Sequence, residues 1–274
     1  MQKYKIIAVD LDGTLLNTDM TVSEENKAAI GDLAARGVYV VPATGRTLSE
    51  ILPIVRDDPN IRYIIHSNGS VIYDKHTDTR LCTCMPHELS ARLLAMFRAC
   101  KTSLCVHANG KAYVKAEEHN EEGYLRYRVH PNHRRLYYAT CEPVAEFDTF
   151  CDALDEVEMF VIFFADEDEL VRCRETLLAT GEVQVVSSAP HNIEVYAAAA
   201  GKGSAVLRLA ENLGVDKAET MAVGDSTNDS DMVKKAGLGV AMENACDELK
   251  AIADTLACHN NEHILPYLMR TYFA

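Results

Sequence analysis

The chain opens on a short apolar run at 5–9 (KIIAV), rich in β-branched residues, that stops at Asp10-Leu11-Asp12-Gly13-Thr14. This is the pattern of a buried strand running into a loop. From Ser23 to Arg36, Ala28, Ile30, Leu33 and Ala34 recur at near-helical spacing, with Thr21 or Ser23 as N-cap and Gly37 as the stop, which predicts a helix. Residues 38–43 (VYVVPA) read as a second strand, followed by Thr44-Gly45-Arg46 and a helix-like stretch in which Leu48, Ile51, Leu52 and Val55 share one face. A further apolar run, Tyr63 to Ile65, ends at Ser67-Asn68-Gly69. Strand and helix alternating in this rhythm predict parallel βαβ units and an open, doubly wound α/β sheet, with ligands at the carboxyl ends of the strands.

The middle of the chain breaks the rhythm. Aromatic and basic residues cluster at 124–128 (YLRYR) and 134–138 (RRLYY), read here as the solvated face of a strand, and a strand is predicted over Met159 to Phe164. The α/β alternation resumes with a helix over Ser204 to Leu213, stopped by Gly214, and a strand from Thr220 to Val223 that ends in Gly224-Asp225-Ser226-Thr227-Asn228-Asp229. A sheet pattern that brackets an unlike middle predicts a discontinuous core at 1–82 and 197–274, interrupted by an inserted domain at 83–196. At 274 residues, two domains fit better than one.

Composition narrows the function. With 48% hydrophobic and 25% charged residues the chain has the balance of a globular protein, and its net charge of -14 opposes loose binding to nucleic acid or to an anionic membrane. No apolar run reaches the roughly 18 residues that span a bilayer. Nine cysteines without a signal-peptide pattern lead to the expectation of reduced thiols in a cytoplasmic protein. Cys82 and Cys84 form the closest pair, but they lack CxxC spacing and a matching second pair, so they are read as ordinary thiols.

The chemistry lies at the predicted strand ends. Asp10 and Asp12, one residue apart after a buried strand, reach the same crevice if the loop turns sharply. A phosphate monoester repels an anionic nucleophile, so a carboxylate nucleophile needs a divalent cation beside it. Asp225 and Asp229 supply further hard oxygen ligands of the kind magnesium takes, and Asn228 an amide. Thr44 and Gly45, at a strand-to-helix turn, offer a hydroxyl and backbone N–H groups to a phosphate oxygen. Lys202, between Gly201 and Gly203, can screen the charge shared by nucleophile and phosphate.

Taken together these segments resemble the haloacid dehalogenase superfamily of phosphatases, in its Cof-type branch with a type IIB cap. Asp10-Leu11-Asp12-Gly13-Thr14-Leu15-Leu16 is similar to the first family motif, Ala43-Thr44-Gly45-Arg46 to the second, Lys202 to the third and the 224–229 segment to the fourth. The resemblance implies a Rossmann-like core with an inserted α/β cap. It further implies Asp10 as nucleophile, Asp12 as acid and base, and Thr44, Gly45, Arg46 and Lys202 on the phosphate. Magnesium ligands would be Asp10, the Asp12 carbonyl and Asp225, with Asp229 bound directly or through water. Asn228 and Asn68 would lie near the substrate, Asn68-Gly69 standing in an NGA-like segment that has Ser70 where alanine is usual.

The expected activity is Mg2+-dependent hydrolysis of a small phosphorylated metabolite such as a sugar phosphate, by a monomer or small homo-oligomer, with no nucleic-acid or membrane partner. The same core also suits a phosphomutase or phosphotransferase. A non-catalytic regulatory protein that binds a phosphorylated effector is the other alternative, although such a protein is expected to have lost one of Asp10, Asp12, Lys202 or Asp225, and all four are present.

Overall fold

In the computed structural model, which describes residues 3–273, the apolar run of the first strand, Ile6–Val9, is wholly buried. It is flanked on both sides by parallel neighbours, Thr220–Gly224 and Tyr39–Pro42, in the register Val9↔Val223 and Val9↔Pro42. Strands Leu238–Ala241 and Thr255–Leu256 extend the sheet beyond Thr220–Gly224, giving five parallel strands. A strand buried on both faces has no polar side to alternate, which is why these segments read as continuous apolar runs.

The chain divides into two compact units. The first comprises Met1–Gly45, Ile51–Leu81 and Gly201–Ala274, and the second Arg46–Glu50 and Cys82–Ala200. In the first unit the helix Glu24–Ala35 starts where Ser23 accepts a hydrogen bond from the Asn26 N–H, and ends with Gly37 at positive φ. The Lys202–Asn212 helix lays Ala205, Val206, Leu209 and Ala210 against Ile6, Ala8, Val41 and Ala222 of the sheet. Next to the parallel sheet, a three-stranded sheet of Tyr63–His66, Val71–Asp74 and Thr79–Cys82 joins it through a parallel bridge between Ala43 and Ile65.

The second unit is built on six strands in the order Val183–Val186, Asn192–Ala197, Met159–Phe164, Thr102–Ala108, Lys111–Lys115, Glu142–Val144. Neighbours are antiparallel except for the last pair. Met159–Phe164 runs through the centre, wholly buried. A short antiparallel pair, Met85–Pro86 with Glu156–Val157, lies outside this sheet.

Three expectations need correction. The stretch carrying Leu48, Ile51, Leu52 and Val55 is not one helix: a single 3-10 turn, Leu48–Glu50, is followed by one α-helical turn, Pro53–Arg56, because Pro53 cannot continue a helix begun before it. Residues 46–50, expected with the core, belong to the second unit. There the Glu50 carboxylate accepts the Thr47 N–H at 2.9 Å, the Thr47 hydroxyl donates to Glu158 at 3.2 Å, and the Ser49 N–H donates to Gly110 O at 2.9 Å. The aromatic and basic runs are helical as well, forming Glu121–Arg126 and Pro131–Thr140. None of the nine cysteines is in a disulfide. Among the described residues no helix is long and apolar enough to cross a membrane.

Candidate active site

Asp10 is the first residue past the buried strand, its N–H still in the sheet and donating to Val223 O at 3.0 Å. The chain then makes a wide turn, Leu15 N–H to Asp10 O and Leu16 N–H to Leu11 O, that Gly13 permits at φ +79°. Any side chain at 13 would also meet the Asp225 carboxylate at 2.5 Å. This turn brings the Asp10-to-Thr14 segment back over the end of the neighbouring strand, where the Thr14 hydroxyl donates to Asp225 Oδ1 at 3.1 Å.

Lys202 closes the arrangement from the start of its helix. Its Nζ donates to Asp10 Oδ1 at 2.7 Å and to Asp229 Oδ1 at 2.6 Å, with all three side chains buried. The lysine is delivered by a close backbone approach: Gly69, at φ +90°, passes so near Gly201 that a Cβ would lie 2.2 Å from the Gly201 carbonyl. Asp231 fixes the same helix start by accepting the Gly203 and Ser204 N–H groups at 2.9 and 3.2 Å.

Three carboxylates, Asp10, Asp225 and Asp229, thus gather around one ammonium, with ligand oxygens within 4.8 Å of one another. Burial pushes Asp10 well above the ordinary carboxylate range; Lys202 pulls it back, while Asp229, Asp225 and Asp12 push it up. Burial, with Asp229 next, pushes Asp225 up to about 7, against the Thr14 hydrogen bond and Lys202. Burial also opposes the charge on Lys202, but Asp10 and Asp229 outweigh it and hold the ammonium above the usual lysine value. The cluster is short of positive charge, and its donors are hard oxygens, so the residues fit a magnesium ion.

The remaining expected residues fall in different places. Thr44 is buried just past the end of the strand beside Asp10's, and its N–H donates to Ile65 O at 2.9 Å. Gly45 follows it in the first unit. Asn68 is buried in a left-handed conformation, its N–H tied to Thr44 O at 3.0 Å. The Asp12 side chain is exposed. Asn228 accepts the Ser226 hydroxyl at 2.6 Å.

Asp229 and Arg46 also have partners that the sequence does not foresee. Asp229 accepts from Lys202 at Oδ1 and from the N–H groups of Asp225 and Ser226 at Oδ2, so it positions the lysine and the loop as well as standing among the three carboxylates that fit a metal. Arg46 falls in the second unit, where its guanidinium donates to Glu50 O at 2.9 Å. Asn244 was not anticipated: it holds Gly13 O at 2.8 Å and accepts the Asn260 N–H at 2.9 Å, bracing the turn that carries Asp12. Nothing in its sequence surroundings marks it, because its partners are backbone groups.

The description of haloacid dehalogenase-like hydrolases matches residues 7–267, and the chain belongs to this family of hydrolases, in its phosphatase branch. Among its relatives, the 5-amino-6-(5-phospho-D-ribitylamino)uracil phosphatase YcsE of Bacillus subtilis is 31% identical over 260 residues, covering 94% of this chain and 91% of its own. The HMP-PP phosphatase of Serratia proteamaculans is 28% identical, covering 92% of this chain and 89% of its own. Of solved structures, a haloacid dehalogenase-like hydrolase from B. subtilis is 27% identical with a TM-score of 0.80, covering 97% of this chain and 99% of its own.

Proposed function

We propose that this chain is a Mg2+-dependent phosphatase that hydrolyses phosphate monoesters of small metabolites through an aspartyl-phosphate on Asp10. The observation that carries this reading is Lys202 bridging Asp10 and Asp229 beside Asp225, a buried cluster at the strand ends with three carboxylates to one ammonium. Asp10, the Asp12 carbonyl and Asp225 would hold magnesium, which supplies charge neutralisation between nucleophile and phosphate.

Asp10 attacks phosphorus and the bond from phosphorus to the ester oxygen breaks, while Asp12 gives that oxygen its proton. Asp12 then takes a proton from water, the water oxygen attacks phosphorus, and the bond to Asp10 breaks to release inorganic phosphate. Lys202 keeps the Asp10 carboxylate oriented, and with the Thr44 hydroxyl it faces the phosphate oxygens.

Phosphate release from a panel of phosphorylated metabolites, with Mg2+ and with excess chelator, tests the reading. The panel starts from 5-amino-6-(5-phospho-D-ribitylamino)uracil and HMP-PP, the compounds for which relatives are named, and continues through hexose phosphates, nucleotides, pyridoxal phosphate and flavin mononucleotide. Magnesium-dependent release that vanishes in Asp10→Asn is expected. Release unaffected by that substitution would overturn the mechanism, and transfer to a second hydroxyl without free phosphate would replace hydrolysis by phosphotransfer.

A further inference from the structure

The second unit begins, after the strand Thr79–Cys82, with the run Cys82-Thr83-Cys84 leading into Met85–Pro86. Successive side chains of an extended chain alternate in direction, so Cys82 and Cys84 share one side. Met85–Pro86 pairs antiparallel with Glu156–Val157 in the register Pro86↔Glu156. The residue opposite Pro86 therefore lies on the same side as Cys84, two positions from it, which puts Glu156 diagonally across from the Cys84 thiol. The outcome is that Sγ of Cys82, Sγ of Cys84 and a carboxylate oxygen of Glu156 lie within 4.8 Å of one another.

Both cysteines are partly exposed and Glu156 is exposed, so an ion in solution has access to all three. The Cys84 thiol is held above its ordinary value first by its hydrogen bond to Cys82 and then by burial, the acidic neighbours Glu156 and Glu158 adding to it. A cation that displaced the thiol protons would relieve that same concentration of negative charge.

We propose that Cys82, Cys84 and Glu156 form a binding site for one thiophilic divalent cation of the zinc and cadmium class, separate from the oxygen-lined cluster around Asp10. Two thiolates and a carboxylate select such a cation over magnesium, and three protein ligands leave one tetrahedral position for water. Ligands around a tetrahedral zinc stand roughly 3.8 Å apart for two sulfurs. The three groups lie within 4.8 Å of one another, close to that spacing. Because both thiols release a proton on binding, affinity rises with pH. Ligation would tie the first residues of the second unit to a strand far along the chain.

Sequence spacing alone gives no such site, because the third ligand is supplied by the pairing of two distant strands. The cluster owes nothing to the phosphatase reading, and the experiment keeps the two apart. The reduced full-length chain is titrated with Cd2+ in the presence of saturating Mg2+, and the ultraviolet thiolate-to-cadmium absorption is followed. One equivalent is expected to bind with sulfur ligation. Cys84→Ser and Cys82→Ser should each abolish the band, and the exposed Glu156→Gln should weaken binding by roughly tenfold or more. Cys246→Ser and Asp225→Asn should leave the band unchanged. Absence of thiolate absorption at one equivalent, or a band of equal affinity in Cys84→Ser, would overturn the proposal, as would a Glu156→Gln affinity equal to that of the parent chain.

Discussion

In the first unit Lys202 sits between Asp10 and Asp229 with Asp225 beside them, while in the second His107 lies 3.5 Å from Glu50 and in the field of Glu158. Both clusters bury a cation among carboxylates, yet they are satisfied differently. The carboxylates around His107 are met by local donors: Glu50 takes the Thr47 N–H, and Glu158 takes the Gly110 N–H at 2.7 Å and the Thr47 hydroxyl. These bonds clasp residues 46–50 to their unit, while Glu50 Oε1 and both ring nitrogens of His107 are buried without a hydrogen-bond partner and meet only through charge. Around Lys202, Asp10 keeps an edge at the strand-end crevice, 6% exposed, and the negative charge exceeds the positive. Carboxylates held by donors of their own unit clasp structure, whereas buried carboxylates in excess of cations at the carboxyl ends of parallel strands fit a cation and an anionic ligand.

The sharpest way to break this contrast is Asp10→Asn. It removes the proposed nucleophile with little change of volume, so phosphate release should fall by at least roughly three orders of magnitude while the circular dichroism spectrum stays that of the parent. Substrate turnover within tenfold of the parent would remove Asp10 from the reaction.

Lys202→Met comes next. It strands two buried carboxylates and should cost about 3–5 kcal/mol of stability together with most of the turnover, read as a drop in the denaturant midpoint. An unchanged midpoint would mean that the cluster does not depend on the lysine.

For the second cluster the expected signal is a pH dependence. Burial works against a charged His107, but Glu50 outweighs it, with Cys105 and Glu158 adding, and the imidazole is raised from 6.5 to about 9. A cation stabilised in the fold contributes fully below pH 6.5, and that contribution fades as pH climbs through 9. The effect should be on the order of 2–3 kcal/mol, seen as faster hydrogen exchange across the second unit at pH 9.5 than at pH 6 after correction for intrinsic rates. The same difference persisting in His107→Gln would assign it elsewhere. Smallest of the four, Thr47→Val removes one hydroxyl from Glu158 and should cost about 1–2 kcal/mol, with exchange at 46–50 rising first.

The strand ends were legible in the sequence because their chemistry is local: each apolar run stops at a short polar segment, and Asp10, Thr44, Asp225 and Lys202 all occupy such stops. The helix after Ser23, whose cap the sequence left between Thr21 and Ser23, and the central strand of the second unit were also readable from spacing. What stayed hidden depends on partners far along the chain. Glu50, His107 and Glu158 are single residues without a motif, and only their meeting shows that 46–50 groups with the second unit. The commitment of both Asp229 oxygens, and the place of Asn244 beneath the first turn, are likewise set by tertiary contacts.

The order of segments in the first unit also bears on how the protein is made. The strand ending at Asp10 leaves the ribosome well before its partners: the lysine that reaches Asp10 lies 192 residues further along, and Asp225 lies 211 residues beyond Thr14, both past the whole of Cys82–Ala200. The second unit can therefore be complete while the parallel sheet still waits with two strands and an unfilled edge. Any nascent chain halted between these points carries Asp10 but not the ammonium that holds it, so the buried cluster assembles only after Lys202 and Asp225 have been made.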